Sequence, residues 1–86
     1  MGKKEKEIER LKQLPSDYTF SEARALARQL GYEERNKGKT SGSRVLFFRE
    51  RDQRKIMLHK PHPGDVMKKY AVRDLLEAFK GNGDFE

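Results

Sequence analysis

Residues 43–60 read SRVLFFRERDQRKIMLHK, and their pattern decides the fold. Val45, Leu46, Phe47 and Phe48 crowd β-branched and aromatic side chains into one short run, which makes 43–50 the strongest strand signal in the chain. RDQR then reads as a polar turn, and 55–60 as the returning strand. Alternation along that second strand puts Ile56 and Leu58 on one face and Met57 and His59 on the other. Pro61 and Pro63 bracket His62 and stop it, since proline cannot donate to a sheet ladder. Upstream, 32–37 forms a charged edge strand that resists stray pairing, joined to the hairpin by the Gly-Lys-Thr-Ser-Gly turn at 38–42.

Helical periodicity flanks the three strands. Thr19 and Glu22 make a capping box ahead of an apolar stripe of Phe20, Ala23, Leu26, Ala27 and Leu30, and Gly31 is placed to close that helix in a left-handed conformation. Val72, Leu75, Leu76 and Phe79 repeat at i, i+3, i+4 and i+7, predicting a second helix over about 70–79 before GNGDFE frays. A short charged helix over 3–13, ended by Pro15, precedes everything. The expected fold is α+β: a three-stranded antiparallel sheet with helices on one face, in the order α-β-β-β-α, plus the extra N-terminal helix. Residues 1–14 form the helical extension and 15–86 the domain.

Eighty-six residues make one small domain, 40% charged, with a net charge of +6 and no cysteine. No apolar run reaches the 18 residues of a membrane span, and the charged N-terminus lacks a signal-peptide core. A cytoplasmic protein without disulfides is expected. The charge is focused: between Arg35 and Lys60 nine basic residues face only Glu50 and Asp52, a local +7. Such a patch suits a polyanion, because each neutralised phosphate releases a counterion.

His59 and His62 straddle a proline kink with no convergent carboxylate pair, short of the three or four ligands of a zinc site, so no metal is expected. Gly-Lys-Thr at 38–40 lacks the outer glycine of a P-loop and joins antiparallel strands, so no nucleotide cofactor is expected either. Metal-free phosphodiester cleavage fits better. It needs a base for the 2′-hydroxyl, an acid for the leaving oxygen, and cations on the phosphate, roles open to histidine, arginine and lysine.

The stretch Gly31-Tyr32-Glu33-Glu34, then Lys37-Gly38-Lys39, Ser41-Gly42-Ser43-Arg44-Val45 and Phe47, with His62-Pro63-Gly64 after the last strand, resembles the HicA (YcfA-like) toxins. Met67-Lys68, Ala71-Val72 and Leu75-Leu76 follow His62 at the family's spacings, and the likeness spans about residues 16–80. The resemblance implies a double-stranded-RNA-binding-domain-like fold and a toxin that cleaves mRNA until a HicB-type antitoxin protein blocks it. One departure matters. The family's catalytic histidine directly follows Gly-Ser as G-S-H, and here Arg44 stands in its place.

Arginine can clamp a phosphate but cannot cycle a proton near neutral pH. His62 is therefore the first candidate for proton transfer and His59 the second, with Arg44 as transition-state clamp. Lys37, Lys39, Ser43, Arg44, Arg49, Lys55 and Lys60 are the expected RNA contacts. Of Phe47 and Phe48, one belongs in the core; the other faces out, to stack on a base or to pack on the N-terminal helix or the antitoxin. Tyr70 is expected to pack. Two other readings use the same residues: a non-catalytic RNA-binding module, and a domain whose basic hairpin meets an acidic protein.

Overall fold

Two helical stripes and the inward side of a hairpin bury one another. The computed structural model describes residues 2–35, 44–61 and 64–85. Its elements are α1 (Lys3–Lys12), α2 (Phe20–Gln29), β1 (Glu33–Arg35), β2 (Arg44–Arg49), β3 (Arg54–His59) and α3 (Lys69–Gly81). The strands form an antiparallel sheet in the order β1-β2-β3. This is the expected α-β-β-β-α arrangement with a helix ahead of it.

The capping box starts α2 as the sequence predicts. Thr19 Oγ1 accepts from the Glu22 amide at 3.1 Å, and the Thr19 amide donates to Glu22 Oε1 at 2.9 Å. Arg10 of α1 also donates to that carboxylate, at 2.6 Å, so one cap ties two helices together. At the other end Gly31, at φ +97°, closes α2: its amide reaches Arg28 O, and the Tyr32 amide reaches back to Ala27 O. These paired bonds are the Schellman arrangement, which satisfies carbonyls the helix leaves open.

Leu26, Val45, Phe47, Val72 and Phe79 are at most 1% exposed, and Leu11 of α1 is fully buried with them. Alternation is clean in the hairpin, with Val45, Phe47, Ile56 and Leu58 turned toward the helices. Arg44, Leu46 and Phe48 point to the opposite side.

Two expectations need correcting. The C-terminal stretch does not fray over its described residues, 81–85. Gly81 is the last residue of α3, and Gly83 at φ +82° closes the helix as Gly31 closes α2. That turn swings Asp84 to within 2.6 Å of Arg49 Nη1 and lays Phe85 against Phe79, their ring centroids 5.2 Å apart. Tyr70 does not pack either; it is 59% exposed. It lies two residues before Val72, about 200° around the helix from the buried stripe.

Candidate functional site

Arg44 and His59 are directly opposed across the β2–β3 ladder. Both point away from the helices, and opposed residues on one face of an antiparallel pair have Cβ atoms about 4.5–5.5 Å apart. The next outward pairs are Leu46 with Met57 and Phe48 with Lys55. On β1, Arg35 covers the Phe48 ring, its guanidinium carbon 4.7 Å from the centroid. The outer face is thus a short apolar strip, Leu46, Phe48 and Met57, edged by cations and the His59 imidazole. Phe48 faces this strip, away from α1, which packs on α2 and α3. The core position of the pair belongs to Phe47.

Arg49, expected to touch phosphate, is withdrawn from that role. Its side chain is only 3% exposed. It stands five residues from Arg44 along a strand of period two, so it points to the helix side. There it donates to Asp52 at 2.9 and 3.0 Å, to Asp84 at 2.6 Å and to Leu30 O at 2.9 Å, and it lies 4.4 Å from the Tyr32 ring centre. Asp52 is held below the usual carboxylate range, chiefly by its bond from Arg49. Burial, then the bond that Tyr32 donates to Asp84 at 2.7 Å, push the Tyr32 hydroxyl up to about 12. This cluster fastens the fold.

Lys55 and Lys60 are exposed. Lys37, Lys39, Ser43 and His62 lie outside the described residues. Beyond the free edge of β3 a cleft of about 380 Å³ opens against the start of α3, with His59 and Lys60 on one side and Lys68 and Tyr70 on the other. The segment that floors it is fixed: Met67 N–H donates to Tyr18 O at 2.8 Å, and Asp65 O accepts from Phe20 N–H at 2.7 Å. The sequence reading passed over this cleft. Its signal was Tyr70, an aromatic residue off the apolar stripe of its own helix.

A scan against protein families matches residues 20–80 to the HicA toxin of bacterial toxin–antitoxin systems. The chain belongs to the HicA toxin family. No curated protein and no solved structure matches it. HicA membership carries a toxin's role and implies an antitoxin partner. The matched span takes in α2, the whole sheet and nearly all of α3, and so includes Arg44, His59 and the cleft. Among the described residues, no helix is long and apolar enough to cross a membrane, and no group of three or more His, Asp or Glu side chains could hold a metal ion.

Proposed function

We propose that this HicA toxin binds and cleaves mRNA at the outer sheet face around Arg44 and His59, in the cytoplasm, until a HicB-type antitoxin covers that face. What supports the reading is the ladder register. The strand position that carries the G-S-H histidine in the family holds Arg44 here, yet its cross-strand neighbour is His59, so an imidazole remains on the same rung.

The chemistry follows from the two side chains. Arg44 holds the non-bridging phosphate oxygens, with Lys55 and Lys60 extending the grip along the RNA. His59 takes the 2′-hydroxyl proton. The 2′-oxygen attacks phosphorus, the bond to the 5′-oxygen breaks, and the products are a 2′,3′-cyclic phosphate and a 5′-hydroxyl. The proton for the departing oxygen comes from water or from His62, the chain's other histidine.

The test is an end-labelled RNA incubated with the protein in excess EDTA, alongside growth of cells induced to express it. Wild type should yield cyclic-phosphate ends and arrest growth. His59→Ala should lower cleavage by about 10²–10⁴-fold, the usual contribution of a general acid or base. Full cleavage by His59→Ala together with failure of His62→Ala would move the proton transfer to His62.

A non-catalytic RNA-binding module is the second reading, favoured by Arg44 itself, which cannot replace the lost proton carrier. Intact RNA after binding by the wild type would establish it.

A further inference from the structure

Most large apolar side chains of the described residues are buried; three are exposed, Met57 at 49%, Val66 at 53% and Tyr70 at 59%. All three line the cleft between the β3 edge and the start of α3. An 86-residue chain this rich in charge has little reason to gather its exposed apolar surface at one place unless something rests there. The charges around it say what. Lys60 and Lys68 stand on opposite sides of the opening, and His59 joins them. Asp74, one helical turn beyond Tyr70, adds a carboxylate that has no ion-pair partner among the described residues. An aromatic face, aliphatic walls, flanking cations and one acceptor together match a nucleotide better than an apolar peptide, which would leave the lysines unanswered. About 380 Å³ is near the small end of ligand clefts, enough for one nucleotide and too small for a duplex.

We propose that this cleft is a subsite for one unpaired nucleobase of the bound RNA, stacked on Tyr70 and read by Asp74, with its phosphates on Lys60 and Lys68. The inference rests on the RNA-binding function proposed above and goes beyond it by naming where sequence is read. His59 belongs to both places, facing the outer sheet with Arg44 and bordering the cleft. A base held against Tyr70 therefore fixes which phosphate arrives beside Arg44. Asp74 sets the preference. Guanine presents two adjacent donors, N1–H and N2–H, to a carboxylate, whereas uracil presents one donor flanked by two acceptors.

The test is binding of short oligoribonucleotides made uncleavable by 2′-O-methylation, each carrying one guanine, uracil or abasic position in an otherwise constant sequence. The wild type should bind the guanine oligomer most tightly and the abasic one most weakly. Tyr70→Ala should weaken the guanine oligomer by about 5- to 150-fold, the range one base–aromatic stack supplies, while Tyr70→Phe keeps the affinity. The abasic position should cost Tyr70→Ala less than it costs the wild type, since only the Asp74 contact with the base is left to lose. Asp74→Asn should erase the preference for guanine over uracil. Lys68→Ala should flatten the salt dependence by about 0.7 in log–log slope per phosphate released, which Tyr70→Ala leaves unchanged.

Tyr70 is exposed, so its variants should keep the wild-type circular dichroism. RNA binding by the wild type with no effect of Tyr70→Ala would overturn the subsite and leave the RNA function standing. Weaker antitoxin binding by Tyr70→Ala with unchanged RNA affinity would instead assign the cleft to a protein side chain. Absence of any RNA binding by the wild type would remove both proposals.

Discussion

Arg44 and Arg49 begin and end the same strand, the first exposed and the second buried. An odd separation on a strand of period two sends them to opposite faces, so their parting was legible in the sequence once parity was counted. Which face would be buried was not legible, because Val45 and Phe47 alternate with the equally apolar Leu46 and Phe48. Nor could the company Arg49 keeps there be read, because Asp84 is 35 residues away and reaches it only through the turn at Gly83. Arg49→Ala should be costly. Removing one member of a buried ion pair usually destabilises by about 3–5 kcal/mol, a large share of the roughly 5–15 kcal/mol that holds a domain together. It would leave Asp84, whose side chain is 5% exposed, buried without its countercharge. Urea unfolding of the two proteins checks this, and a loss under about 1 kcal/mol would show that Asp84 finds another partner.

At the scale of elements, local chemistry carried most of the information. The Thr19–Glu22 box and the stripe from Phe20 to Leu30 located α2, and Gly31 located its end. The angular position of Tyr70 was equally available, since an aromatic residue about 200° from its helix's buried stripe has to face elsewhere. The last turn of α3 was misjudged because Gly-Asn-Gly looks like loose chain until a backbone bond from Asp84 to Phe79 O makes it a cap. Gly31→Ala tests how much such a closure contributes. A side chain there must tolerate φ +97°, and its Cβ would come within 3.3 Å of Arg49 Cδ. The expected loss is more than about 1 kcal/mol, read as a lower urea midpoint at unchanged slope. A midpoint equal to wild type would mean the turn can re-form in another conformation.

For the whole molecule, paired charges tie the elements together. The fold class and the family followed from residues near in sequence, whereas the cleft did not, being assembled from β3, α3 and the 64–67 segment pinned to the entrance of α2. The ionic contacts also predict a bounded pH range. Glu22, held below the usual carboxylate range chiefly by Arg10, and Asp52, held down chiefly by Arg49, contribute stability that is complete above about pH 5 and lost as pH falls through their lowered values. Tyr32 acts from the other side. Its contribution is complete below about pH 10 and is lost as pH rises through about 12. The thermal midpoint should therefore hold level between these limits and fall outside both, and Tyr32→Phe should remove part of the alkaline decline; an alkaline decline identical in Tyr32→Phe would exonerate the phenol. The ladder register carries one more consequence. Because Arg44 and His59 occupy one rung, a comparison made along the string of letters alone sees an imidazole missing at position 44, whereas the folded sheet sets one directly across from it.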